Sequence, residues 1–172
     1  PGMPDDMIAD GTFWATSVAY DLIMNCESGL SALLADELWS LVGATANPQA
    51  AGFILEMVKT IRGLGGIAVT STQGIQDLFG LEGGSYGKGI LDASRIKLVM
   101  QMEEQEARLI QDKLNLSEDE VRQITRFRRG EGLLCIGYNH VPVAFYTTPK
   151  EYEAITTSPT DLRRERQGDS DE

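Results

Sequence analysis

The stretch SALLADELW, Ser31 to Trp39, is an apolar run that ends in two adjacent carboxylates, Asp36 and Glu37. A short apolar run of this kind predicts a buried strand of an α/β sheet. A buried strand gains nothing from acids at its tip. A site that hydrolyses a nucleotide needs two there, one for a metal ion and one for the attacking water. The plain alternative is a strand that simply reaches solvent and turns, so the flanking sequence has to decide.

Upstream, Asp10 or Thr12 can cap a helix in which Trp14, Val18 and Leu22 recur every four residues, running to about Asn25. Downstream, Asn47-Pro48 is a cap followed by proline at the first helical position. Phe53, Ile54, Met57, Val58 and Ile61 then form one apolar stripe, and Gly63, Gly65 and Gly66 end the helix. Gly66 to Ser71 predicts a second buried strand, which ends in the polar cluster Thr70, Ser71, Thr72 and Gln73. A brief helix is expected around Ile75 to Phe79. Gly80 to Lys88 is rich in glycine and predicts a loop.

Arg95 to Met100 alternates, with Ile96, Leu98 and Met100 on one face and Lys97 and Val99 on a more polar one. Glu103 to Leu114 is charged and helical. Ser117 and Glu120 have capping-box spacing ahead of a helix with Val121, Ile124 and Phe127 on its apolar face. Leu133 to Ile136 and Val141 to Tyr146 flank Gly137, Tyr138, Asn139 and His140 as a hairpin, and Pro142 places its second strand at an edge. Helix and strand alternating in this way predict an α/β fold, a mainly parallel sheet closed by an antiparallel hairpin. Ligands in such sheets bind beyond the carboxyl ends of the strands, where both polar clusters lie.

Composition bounds the rest. The 172 residues, 42% hydrophobic and 24% charged, suit one globular domain, expected over 1–160, with a charged tail at 161–172 expected to be disordered. With 15 Lys+Arg against 26 Asp+Glu, the net charge of -11 excludes bulk electrostatic binding of nucleic acid and leaves only local contacts to a polyanion. Cys26 and Cys135 lack metal-ligand spacing and are expected to be free core thiols. His140, the single histidine, is the one available base for a Ser-His-Asp arrangement and sits in the expected hairpin turn. No stretch approaches the roughly 20 apolar residues of a membrane-spanning helix, and the chain reads as cytoplasmic in character. Its opening, PGMPDD, is expected to be an interior stretch of a longer protein.

Taken together, LLADELWSL, VKTIRGLGG, TSTQGIQDLF, GKGILDASRIKLVMQ and RGEGLLCIGYNHVPV resemble the carboxy-terminal ATPase domain of conjugative-transfer ATPases. These are the VirB/TraC/TraE-like motors of type IV secretion systems, in the HerA and FtsK group of RecA-like hexameric ATPases. The resemblance implies part of a three-layer RecA-like P-loop NTPase, with helices on both faces of the sheet, acting as a homo-hexamer on ATP and Mg²⁺. It implies other type IV secretion components as partners, and a place at the cytoplasmic face of the inner membrane. On this likeness SALLADELW is the Walker B strand, with Asp36 holding Mg²⁺ and Glu37 polarising water. Gln73 would contact the γ-phosphate or that water, with Thr70 and Thr72 as further nucleotide-contacting candidates. Arg62, at a helix end, is a candidate to complete a neighbouring subunit's site, and Arg128 and Arg129 are the others. Taken alone, Arg62 is equally a cation at a helix carboxyl end.

One departure is an absence. No Gly-x-x-x-x-Gly-Lys-Ser/Thr loop occurs in the chain, because Gly83 to Gly89 places its Gly-Lys pair in another frame. The chain is therefore expected to be the second half of the motor domain. The alternatives are a DNA-pumping translocase of the coupling-protein or FtsK kind and a catalytically silent α/β scaffold.

Overall fold

The computed structural model describes residues 5–25, 31–42 and 46–155. Cys26 and the tail at 161–172 lie outside them. Helix α1 (Asp5–Met24) leads to strand β1 (Ala32–Ala35), the short α2 (Trp39–Val42) and α3 (Pro48–Thr60). Strand β2 (Ile67–Thr70), α4 (Ile75–Leu78), α5 (Ser85–Ala93) and β3 (Ile96–Met100) follow. Helices α6 (Glu104–Leu114) and α7 (Glu118–Ile124) precede β4 (Glu131–Ile136), β5 (Asn139–Ala144) and α8 (Pro149–Ile155).

The fold is α/β, but its described strands form two small sheets. Strands β1 and β2 pair in parallel, Ala32 with Ile67 through Ala35 with Thr70. Strands β3, β4 and β5 form an antiparallel sheet in that order. The sheet was expected to be mainly parallel. Alternation favours parallel strands only where each helical connection crosses over to start the next strand at the same end, and the two helices between β3 and β4 instead return the chain antiparallel.

Helix α3 begins as its sequence demands. The Asn47 side chain accepts the N–H groups of Gln49 (2.8 Å) and Ala50 (3.4 Å), which would otherwise be unpaired at a helix start, and Pro48 needs no such partner. Its stripe buries Ile54, Met57 and Ile61, each contributing about 1.5–3 kcal/mol if wholly transferred from water. With Ala35, Leu38, Val42, Leu78 and Ile90, residues of α3 form the core beneath β1. Gly65 then adopts φ 78°, a left-handed turn that directs the chain into β2.

Helix α1 packs otherwise than its four-residue spacing suggested. Its described residues run from Asp5, ahead of Asp10 and Thr12, and it faces α3 through Phe13 and Tyr20, whose rings lie 5.5 and 6.0 Å from that of Phe53. Trp14 and Leu22 are about two-thirds exposed (70% and 69%). Strict four-residue spacing drifts around a helix of 3.6 residues per turn, so that stripe does not define the buried face.

The expected loop at Gly80 to Lys88 is instead a 3-10 turn (Leu81–Gly84) running into α5. Gly87 serves packing. A Cβ on Gly87 would lie 2.2 Å from the Leu78 carbonyl oxygen, so α5 approaches α4 only because that position has no side chain. Gly87→Ala should therefore destabilise the chain by about 1–3 kcal/mol, through overpacking against backbone that cannot swing away. Urea unfolding of the two proteins checks this, with a lowered midpoint expected.

The second core joins Val99, Leu133 and Cys135 of the antiparallel sheet to Ala107, Ile110, Val121 and Ile124 of α6 and α7. The buried face of β3 is thus the Lys97/Val99 side, while Ile96 is 65% exposed and Leu98 and Met100 are also exposed. The hairpin turns on Gly137 and Tyr138 alone, since Ile136 pairs with Asn139 and Cys135 with His140. His140 therefore lies on β5, an edge strand among the described residues, as Pro142 requires.

Ser117 and Glu120 form the predicted capping box, and the Glu120 carboxylate also bonds His140 Nδ1 at 2.8 Å. Burial alone would raise the Glu120 carboxyl. The hydrogen bonds from the Ser117 backbone and side chain, with His140, outweigh it and hold the carboxyl below its ordinary value. A carboxyl lowered by folding contributes stability that is fully present above the ordinary glutamate range and is lost as pH falls through the folded value. Glu120→Ala should cost about 1–3 kcal/mol at neutral pH and flatten the acid limb of stability, measured by urea melts across pH. An acid limb unchanged in the variant would exclude this role.

Candidate functional site

The parallel pairing of β1 and β2 sets their carboxyl ends side by side. Beyond Thr70 the pairing continues, Ser71 N–H donating to the Ala35 carbonyl (2.9 Å) and Leu38 N–H to the Ser71 carbonyl (2.8 Å). The polar tips of the two strands are thereby fixed to one another by backbone, and their side chains interlock across the seam.

Asp36 Oδ1 accepts the Glu37 N–H (3.0 Å) and the Ser71 hydroxyl, in a short contact. Glu37 is held at both oxygens: Oε1 accepts from the Gln73 side-chain amide (2.6 Å) and Oε2 from the Trp39 indole N–H (2.7 Å). Its backbone lies at φ 52°, left-handed space that few residues other than glycine occupy, at a cost of the order of 1–2 kcal/mol. The Ser40 N–H (2.9 Å) and hydroxyl (2.8 Å) both donate to the Glu37 carbonyl and hold the turn. Strained backbone of this kind persists only where its surroundings overdetermine it, and it gathers at functional sites.

Three of the residues singled out in the sequence, Asp36, Glu37 and Gln73, thus meet in one cluster. Thr72 stands between Ser71 and Gln73, and its buried Oγ1 has no hydrogen-bond partner. Thr70 is half-buried and pairs in register with Ala35, on the face turned toward the core. Arg62 is exposed in the 3-10 turn (Ile61–Leu64) before β2, at the end of that strand opposite Gln73. At about 3.3 Å per residue the strand puts it roughly 13 Å or more from the cluster. Arg128 and Arg129 are exposed just before β4.

Ser71 and Trp39 were not singled out. Ser71 lies inside a polar cluster whose members sequence cannot rank, and Trp39, just past the acids, reads as a core residue at the start of the following segment rather than as a ligand-stacking aromatic. The signal for Ser71 is its place as the first residue past the parallel strand next to the acids.

Hard oxygens at this tip, the Asp36 and Glu37 carboxylates and the Ser71 hydroxyl, suit Mg²⁺, which takes one or two carboxylates and completes its shell with water and phosphate. Among the described residues no group of three or more His, Cys, Asp or Glu could hold a metal. In the other polar pair, His140 with Glu120, His140 Nε2 is buried and, among the described residues, has no hydroxyl or thiol partner. Cys135 is free and buried, its thiol pushed up by burial and by the Glu120 charge and only partly offset by Lys97.

The chain is similar to the solved structure of VirB4 of Thermoanaerobacter pseudethanolicus, with a TM-score of 0.78 and 28% sequence identity over 87% of this chain. It spans 40% of the length of that relative. No protein-family model matches the chain, and no curated protein matches it in sequence. The resemblance read from the motifs thus has a structural counterpart: over most of its length the chain is similar to part of VirB4.

Proposed function

We propose that the chain is the Walker B-bearing, carboxy-terminal part of a longer VirB4-like motor, which hydrolyses ATP to power conjugative DNA or protein transfer or pilus assembly. One observation carries this: two parallel strand tips present an interlocked Asp36–Ser71 and Glu37–Gln73 set, where an α/β sheet binds its ligand. Asp36 holds Mg²⁺, Glu37 orients the attacking water and Gln73 contacts that water or the γ-phosphate. The orphaned Thr72 hydroxyl suits a further contact to phosphate or water, whereas Thr70 faces the core and supports the tip from behind. When bound, Mg²⁺ supplies the positive charge that developing phosphoryl oxygens require.

The larger domain is RecA-like in this account. Leu34, Ile67 and Val69 are exposed on the outer face of the parallel pair, and Ile96 and Leu98 on that of the antiparallel sheet, apolar surfaces of the kind that further elements cover. The missing Gly-x-x-x-x-Gly-Lys-Ser/Thr cradle belongs to that remainder. The motor is a homo-hexamer in which Arg62 reaches the neighbour's site, with Arg128 or Arg129 as the other candidates, and other type IV secretion components are its partners. Its place is cytoplasmic and peripheral to the membrane; among the described residues no helix is long and apolar enough to cross one.

The test compares the isolated chain with the full-length protein. The chain alone should neither hydrolyse ATP nor bind Mg-ATP tightly, while the full-length protein hydrolyses it and loses activity on combined Asp36→Ala and Glu37→Ala. Hydrolysis by the chain alone, above its own double variant, would overturn the assignment of the cradle to a missing half.

A further inference from the structure

The two oxygens of Glu37 are not held alike, and the difference assigns them different parts. Oε2 is bonded by the indole N–H of Trp39, two residues along the chain and half-buried at the start of α2. An indole offers one donor and no acceptor on a rigid ring with few rotamers, so this bond runs in one direction and holds its partner in one place. Oε1 is bonded by the amide of Gln73, an exposed side chain three residues past β2, which can leave without disturbing the core. The strained backbone of Glu37, pinned through Ser40 and Leu38, fixes where the carboxylate starts from; the indole fixes where it ends.

We propose that Trp39 is the positioning residue of the hydrolytic carboxylate, anchoring Oε2 of Glu37 so that Oε1, released by Gln73, is the oxygen that takes the attacking water. The proposal rests on the hydrolytic reading of Glu37 and adds a residue and an atom assignment to it. Trp39 itself touches neither substrate nor metal. An unanchored glutamate would sample several rotamers, and ordering it at the moment of reaction would cost rate rather than affinity.

The first arm uses the 172-residue chain. Its indole N–H resonances, assigned with Trp39→Phe, should show the Trp39 signal shifted and exchanging with solvent roughly tenfold faster in Glu37→Ala, and unchanged in Gln73→Ala, because only the first removes the acceptor. A Trp39 signal indifferent to Glu37→Ala overturns the anchor.

The second arm uses the full-length protein with benzothienylalanine at position 39, which keeps the ring shape and replaces N–H by sulfur. Turnover should fall roughly tenfold to a hundredfold with nucleotide affinity unchanged, and Trp39→Phe should match it. Full turnover with the sulfur analogue, in a protein where Glu37→Gln is inactive, overturns the positioning role and leaves the hydrolytic reading intact. If Glu37→Gln itself turns over normally, the hydrolytic reading falls and the proposal with it.

Discussion

Glu37→Gln in the full-length protein is expected to slow ATP turnover by roughly a hundredfold or more while nucleotide and Mg²⁺ remain bound. The amide is nearly isosteric: its oxygen still accepts from Trp39, and its N–H donates to the Gln73 side-chain oxygen once that amide turns over, so the strand tip stays intact and the loss falls on water activation. Asp36→Ala should behave differently. It removes an acceptor shared by the Ser71 hydroxyl and the Glu37 N–H and the oxygens proposed to hold the metal, so affinity for Mg-ATP should fall along with rate. Turnover and equilibrium nucleotide binding, measured on both variants, separate the two roles. Glu37→Gln turning over at the parent rate would remove the base assignment.

Mixing two inactive proteins should restore activity if the site is completed across a subunit interface. Arg62 stands at the end of β2 remote from its own cluster, so any contact with a reacting phosphate must be made in a neighbour. Arg62→Ala should then lower turnover by the order of a thousandfold, within the range that arginine fingers supply, while nucleotide binding within one protomer survives. In mixtures of Glu37→Gln and Arg62→Ala protomers some interfaces pair an intact Glu37 with an intact Arg62, and these sites should hydrolyse ATP. Mixtures shown to co-assemble yet remain inactive would exclude Arg62 and move the assignment to Arg128 or Arg129.

Local rules were legible where a residue type has one physical use. Asn47-Pro48 can scarcely be anything but a helix start, the Ser117 and Glu120 spacing forms the box it promises, and Pro142 does sit on an edge strand. The acids at the tip of β1 and the polar cluster past β2 were readable as polar groups ending apolar runs, but the two strands expected to be buried are covered on one face only, with Leu34, Ile67 and Val69 exposed on the other. What sequence did not reveal depends on distant partners. The direction of β3 to β5 follows from how α6 and α7 return the chain, and the buried side of β3 follows from Val99 meeting those helices rather than from its more apolar face. Gly87 reads as loop because glycine usually breaks helices, yet here it permits contact with Leu78. Ser71 joins the cluster through a bond that forms only once β1 and β2 lie side by side, whereas Trp39 bonds Glu37 locally, two residues along the chain.

The most direct measurement is to locate the metal of the nucleotide complex in the full-length protein, by replacing Mg²⁺ with Mn²⁺ and following paramagnetic broadening of assigned resonances. Broadening that requires ATP, centres on Asp36, Glu37, Ser71 and Gln73, and disappears in Asp36→Ala is the predicted result. Broadening centred elsewhere in the protein, or unchanged in Asp36→Ala, would contradict a hydrolytic site at the tips of β1 and β2.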